Sequence, residues 1–326
     1  MTKVFTAKTT GDEVATEFVA QCKGKTIIVT GANTGLGLET SRVLAAHGAC
    51  VILAIRNVNN AKIAIDNIKH SNPAATVAFI QLDLASFASI RQFVKTFSNS
   101  YTKLHVLINN AAVMACPKSF TTDGFEMQFG VCHLGHFYLS KLLLPLLLET
   151  ANLECPARIV NVSSDGQFLF GPPDGILFDD LNATKSYDPW VRYGNAKLAN
   201  VLFSNEVTRR YNSQNLISVS LHPGIIQGTE LSRHIGLSGG FNALRQIVRK
   251  SGGLSTALRQ RSKTIPEGVA TTVLAALDPE IVGGGFYLDC KKSAGESMHP
   301  MCDNVELARR LWDVSESLVV EWELKN

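Results

Sequence analysis

Thr26-Ile27-Ile28-Val29-Thr30-Gly31-Ala32-Asn33-Thr34-Gly35-Leu36-Gly37 is the stretch whose reading decides the fold. A β-branched run of this kind suits a buried strand, and it stops on a cluster of glycines before a helix-period segment from Leu36 to His47. Strand, glycine turn and helix in immediate succession is the setting of a dinucleotide-binding turn. The glycines let the backbone turn tightly and approach a diphosphate, whose charge then meets the N–H groups and dipole of the helix N-terminus. The spacing is T-G-x-x-x-G-x-G rather than G-x-G-x-x-G. Gly31, Asn33, Thr34, Gly35, Leu36 and Gly37 are the expected cofactor contacts.

Outward from this turn the pattern repeats. Runs at 26–30, 50–54, 77–82, 104–108, 158–162, 217–221 and 285–288 read as strands buried on both faces, separated by helix-period segments such as Tyr193 to Tyr211. Right-handed crossovers between them build an α/β, Rossmann-type doubly wound fold: a seven-stranded parallel sheet with helices on both faces. No repeat, low-complexity tract or long linker divides the chain, so residues 1–326 read as a single domain with an amphipathic lead-in over 1–22.

The 326 residues, 45% of them hydrophobic and 18% charged, are enough for a large core. A formal net charge of +3 carries no nucleic-acid footprint, so small molecules are the expected partners. Seven scattered cysteines form neither a disulfide framework nor a metal spacing, which fits a reducing compartment. His133 and His136 could share a metal, but no third ligand accompanies them, and none is expected. The beginning of the chain lacks a secretory pattern, and the apolar stretch Leu142 to Leu148 is too short to span a bilayer. The expected location is cytoplasmic.

Two stretches interrupt the rhythm, Asp165 to Pro189 and Gly228 to Pro266, and loops of this length usually serve function. The second, read as a substrate-loop region, holds Arg245, Arg249, Lys250, Arg259, Arg261 and Lys263. These basic residues read as a solvated helix face. The alternative is a lid in peripheral contact with an intracellular membrane.

After the second strand comes Ala54-Ile55-Arg56-Asn57, without the acid that accepts a ribose 2′-OH in NAD sites. Arg56 can pair with a 2′-phosphate, so NADP is favoured over NAD. Further along, Tyr193 and Lys197 stand at i,i+4, side by side on a helix. A nearby ammonium favours the phenolate and would bring a phenol of ordinary pKa near 10 towards working pH. Ser163 and Ser164 directly follow the fifth strand, at the carboxyl edge where α/β sites lie, and Ser164 could donate a hydrogen bond to a reacting oxygen.

With these residues assembled, the chain resembles the short-chain dehydrogenase/reductase family from about Gly24 to Trp322. The resemblance rests on the glycine turn, Asp83-Leu84, Asn109-Asn110-Ala111-Ala112, Ser164, Tyr193/Lys197 and His222-Pro223-Gly224. It implies that Asp83 and Leu84 meet the adenine, that Asn110 and Ala111 line the cofactor, and that Pro223, Gly224 and Ile226 pass the nicotinamide. Tyr193 becomes the acid/base, Lys197 also a ribose contact, and Ser164 the group that orients substrate. Val51-Ile52-Leu53-Ala54, Asp123-Gly124-Phe125-Glu126, His133-Leu134-Gly135-His136-Phe137 and Lys197 to Phe203 resemble the retinol-dehydrogenase-like branch, and are similar to the oxidoreductase domain of WW-domain-containing oxidoreductase.

Three positions depart from the pattern. Cys132 stands where the branch has an asparagine counted as a fourth catalytic residue, whose backbone carbonyl binds a water in a relay to the lysine. Ala112 replaces a glycine, and Thr229 lies one place beyond the expected cofactor contact after Pro-Gly. The expected function is NADP-dependent interconversion of carbonyl and alcohol on an apolar substrate such as a retinoid, steroid or other lipid-like compound. A homo-oligomer would be usual for the family. The rival, motivated by Cys132, is a catalytically weak dinucleotide-binding protein acting through protein contacts.

Overall fold

The computed structural model describes residues 4–151, 155–226, 262–295 and 297–326. Helices α1 (Gly11–Glu17) and α2 (Val19–Cys22) lead into β1 (Thr26–Thr30). Then α3 (Gly35–Ala46), β2 (Cys50–Ile55), α4 (Val58–Ser71), β3 (Thr76–Gln81), α5 (Phe87–Ser100) and β4 (Val106–Asn109) alternate. Helix α6 (Met127–Phe129), a π turn (Gly130–Leu134) and α7 (Gly135–Thr150) form one helical run before β5 (Ala157–Val162). Helices α8 (Gly166–Phe170) and α9 (Pro189–Tyr211) precede β6 (Leu216–His222). Beyond it come β7 (Ile225–Ile226), β8 (Ser262–Lys263), α10 (Ile265–Gly268), α11 (Ala270–Leu277), β9 (Phe286–Leu288), β10 (Lys291–Lys292) and α12 (Val305–Lys325).

The main sheet has the order β10-β9-β6-β5-β4-β1-β2-β3. All seven expected strands are present and parallel, with an eighth, β10, antiparallel to β9 at one edge. A two-residue ladder, β7 with β8, stands apart. Chain order reverses between β1 and β4, and in such sheets a ligand crevice opens outside the carboxyl ends of the strands at that point. One face of the sheet packs apolar residues of α5, α7, α9 and α12, including Phe93, Phe137, Phe203 and Trp312. The other packs those of α1, α3, α4 and α11, including Val14, Val43, Ala61 and Val273.

Local rules account for the helices that carry the site. Asp188 accepts hydrogen bonds from Trp190 N and Val191 N, and Pro189 occupies the first turn, so α9 starts there, four residues before Tyr193. Ser86 and Asn57 cap α5 and α4 in the same way.

The amphipathic lead-in packs its apolar face on the core: Thr10 and Glu13 form a capping box, and Val14, Ala15 and Cys22 are buried. Several expectations need correction. The apolar stretch Leu142 to Leu148 belongs to a longer helical run, Met127–Thr150, which continues through Pro145 and is long and apolar enough to cross a membrane. Its most apolar window is 61% buried inside the protein, as in a core helix. The stretch Asp165 to Pro189 contains α8 and a 3-10 turn, Phe178–Asp180. Lys263 is not on a solvated helix face. It is a buried β8 residue, paired with Asp289. The other basic residues of that region, Arg245, Arg249, Lys250, Arg259 and Arg261, and Thr229, lie outside the described residues.

Candidate active site

A cavity of about 670 Å³ lies at the carboxyl edge of the sheet. Every expected site residue lines it except Cys132: Gly31, Asn33, Thr34, Gly35, Leu36 and Gly37 from the turn; Arg56; Asp83 and Leu84; Asn110 and Ala111; Ser164, Tyr193 and Lys197; and Pro223, Gly224 and Ile226. Cys132 is fully buried in the π turn behind that wall.

The glycine turn has the shape a diphosphate cradle needs. Gly31 and Gly35 take φ of +64° and +55°, and a Cβ on Gly37 would stand 2.3 Å from Gly31 O and 2.6 Å from Asn110 Nδ2. The first N–H groups of a helix need partners. Thr34, the N-cap of α3, makes no side-chain cap hydrogen bond, unlike the caps of α4, α5 and α9. That leaves the first turn of α3 without a side-chain cap beside the cavity, as an anionic ligand requires. A nicotinamide dinucleotide therefore fits the residues present. Arg56, Asn57 and Asn60 line the cavity at the end of β2, with no carboxylate among them. Asp83 has one carboxylate oxygen taken by Ala85 N (2.9 Å).

Behind the turn, Thr30 ties three elements together. Its Oγ1 accepts from Asn110 N (2.9 Å) and Ala111 N (3.0 Å) and lies 2.9 Å from His136 Nε2. His136 Nδ1 lies 3.1 Å from Cys132 O. We assign the proton to Nδ1, because that carbonyl can only accept, and Thr30 then donates to Nε2. With its amide nitrogen turned inwards, Asn200 also donates to Cys132 O (2.8 Å) and Ala196 O (3.3 Å). The Cys132 thiol touches Val113 N and O, each at 3.4 Å.

At the catalytic end, Lys197 Nζ donates to Val162 O (2.9 Å) and stands 5.8 Å from the centroid of the Tyr193 ring. The Tyr193 ring and the Ser164 hydroxyl meet around Gly166, where a Cβ would stand 2.7 Å from Tyr193 Cε1 and 3.3 Å from Ser164 Oγ, and the hydroxyl holds the phenol pKa down. Ser164 Oγ also accepts from Gly166 N (3.0 Å) and donates to Asp165 Oδ1 (3.2 Å). Burial pushes the Tyr193 phenol up, and the Ser164 contact only partly opposes this, while Cys132 and Asp165 add to the rise. The expectation that Lys197 brings the phenol towards neutrality is thus not met by these contacts alone: burial dominates, and the ammonium is turned to Val162 O. Burial also pulls the Lys197 ammonium down.

Some cavity residues escaped the sequence reading. Met114, Met127, Val131, Leu169, Phe170 and Trp190 give it an apolar lining near Tyr193, and the Phe170 and Trp190 rings stand 4.8 Å apart. Their positions depend on the irregular segments that follow β4 and β5, which no periodicity locates. Asp165, directly after Ser164, also lines it, as does His222, the first residue of the His222-Pro223-Gly224 motif. The histidine pair is structural: His133 Nε2 meets Ser315 Oγ at 2.9 Å, and no metal-binding cluster exists among the described residues.

Residues 25–172 match the family model for short chain dehydrogenase. The chain is 40% identical to Retinol dehydrogenase 12 of Mus musculus over 309 residues, covering 93% of this chain and 89% of that protein. It is 38% identical to Short-chain dehydrogenase/reductase prx1 of Penicillium roqueforti over 303 residues, covering 90% and 84%. A solved structure of an uncharacterized protein from Mycobacterium paratuberculosis superposes with a TM-score of 0.67 at 32% identity, covering 92% of this chain and 96% of that one.

Proposed function

The chain belongs to the short-chain dehydrogenase/reductase family, as an NAD(P)-dependent oxidoreductase related to the retinol dehydrogenases, and from that premise we propose that it uses NADP to interconvert a carbonyl and an alcohol on an apolar, lipid-like substrate. The observation that carries this reading is one cavity joining the glycine cradle and Arg56 to Ser164, Tyr193 and Lys197 beside an apolar lining.

The glycine turn and the first turn of α3 hold the diphosphate, Arg56 the 2′-phosphate, and Asp83 and Leu84 the adenine. Asn110 and Ala111 border the cofactor, and Pro223, Gly224 and Ile226 bound the nicotinamide end. When bound, the nicotinamide supplies or takes up the hydride. Tyr193 exchanges the proton at the substrate oxygen, Lys197 holds the ribose, and Ser164 orients the reacting oxygen. Met114, Leu169, Phe170 and Trp190 exclude water and hold the apolar body, for which a retinoid or steroid has suitable chemistry.

The test is NADPH consumption against a panel of apolar aldehydes and ketones, with retinal among them, for the wild type and Tyr193→Phe. Turnover that needs Tyr193 supports the reading. NADPH binding without such turnover supports a dinucleotide-binding protein that works through protein contacts.

A further inference from the structure

We propose that Ser164 relays a proton between Tyr193 and the Asp165 carboxylate at the cavity wall, which His222 faces, a route separate from the lysine side of the site. The proposal rests on Tyr193 being the proton-exchanging group.

The Asp165 side chain is not committed to structure. Although Asp165 is the N-cap residue of α8, its side chain makes no cap hydrogen bond. It accepts instead from Ser164 Oγ (3.2 Å), and His222 Nε2 stands 3.7 Å from the same oxygen. Parallel pairing fixes this meeting: β5 and β6 run in register to Val162 and Leu221, and Ser163 N donates to Leu221 O. Ser164 and Asp165 therefore leave β5 level with His222 at the end of β6. Gly166 lets the parts close up, since a Cβ there would lie 2.7 Å from Tyr193 Cε1 and 3.3 Å from Ser164 Oγ. His222 Nδ1 is buried without a partner, so protonating it would strand a donor, and the proton of the neutral ring belongs on Nε2, facing Asp165.

The hydrogen bonds have a direction. In alcohol oxidation the phenolate takes the substrate hydroxyl proton. The new phenol passes its proton to Ser164 Oγ as Ser164 passes its own to the Asp165 carboxylate. One O–H bond forms and one breaks at the serine, and Asp165 ends as the carboxylic acid. In reduction the same two transfers run backwards and refill Tyr193. Asp165 then exchanges its proton with the cavity. The lysine side has less room for a water-borne relay, because His136 and Asn200 occupy both lone pairs of the Cys132 carbonyl. Charged and titratable groups facing the relay are Lys197, Lys263 and Asp289 around His222, and Cys132 around Tyr193.

The experiment compares wild type, Tyr193→Phe, Asp165→Ala and Asp165→Asn with NADPH and all-trans-retinal or dodecanal, with and without added formate. For Asp165→Ala, kcat should fall about tenfold or more with KM within about threefold, and formate should restore it in proportion to its concentration. Asp165→Asn, nearly the same shape, should show the same loss without rescue. It carries the test if the alanine variant does not fold. Tyr193-dependent turnover that both Asp165 variants retain within threefold, or a loss in the alanine variant that formate does not restore, overturns the relay alone. Wild-type turnover that does not need Tyr193 overturns the relay and the functional reading together.

Discussion

The imidazole of His136 and the backbone carbonyl of Cys132 meet at 3.1 Å, so the π turn is gripped through its main chain. The Cys132 thiol contributes only weak contacts to Val113, and burial pushes its pKa up. Cys132→Ala should therefore keep kcat within about threefold of wild type in steady-state assays. The native thiol should resist iodoacetamide while the protein is folded, and mass spectrometry of the alkylated protein checks this. A hundredfold loss of kcat would mean that the thiol itself takes part.

Gly37 has no room for a side chain, since its Cβ would overlap the Gly31 carbonyl. Gly37→Ala should cost on the order of 1–3 kcal/mol of stability, with NADPH binding lost in a fluorescence titration. A variant that binds as tightly as wild type would show that the turn does not hold the diphosphate.

The proposed pairing of Arg56 with a 2′-phosphate predicts a cofactor-specific loss. Arg56→Ala should weaken NADPH binding by about tenfold, or ~1.4 kcal/mol, and leave NADH nearly unchanged. Calorimetric titration of both cofactors gives the answer, and equal losses for both would remove the 2′-phosphate assignment.

Tyr193→Phe should lower kcat by about 10² to 10⁴ with cofactor binding intact. Burial raises the phenol pKa, so the phenolate that alcohol oxidation needs becomes more abundant as pH rises. Its kcat/KM should climb on the alkaline side in wild type, and a profile flat in that range would argue against the tyrosine.

Acid stability should follow two of the buried histidines, His133 and His136. Burial lowers His133 to about 3 and His136 to about 4, whereas unfolded histidine titrates near 6.5. Below 6.5 the unfolded chain binds protons that the folded one refuses, so stability is complete above that pH and is lost as pH falls towards 3 to 4. At pH 5 the loss is up to about 2 kcal/mol per histidine, enough to lower Tm by several degrees from its value at pH 7. His133→Asn should reduce that slope in thermal melts.

The sheet was legible because its strands are buried on both faces, so runs such as Val51 to Ala54 have no other stable place. The glycine turn was legible for a related reason: Gly31, Gly35 and Gly37 answer backbone demands that few other residues meet. The meeting of Asp165 with His222 escaped because it exists only once β5 and β6 lie side by side, the two residues being 57 positions apart in the chain. Lys263 misled for a similar reason. Its charge suggested water, but its partner Asp289 comes from the loop after β9.

Gly194 packs against the backbone of Phe170 and Gly171, where a Cβ would stand 2.4 Å from Gly171 N, so main chain meets main chain between α8 and α9. The serine and tyrosine ends of the site are thereby mortised like two faces of one joint. A redesign of substrate scope has little freedom in that backbone and must work through the lengths of side chains such as Leu169, Phe170 and Trp190, much as a fixed lathe takes different cutting tools.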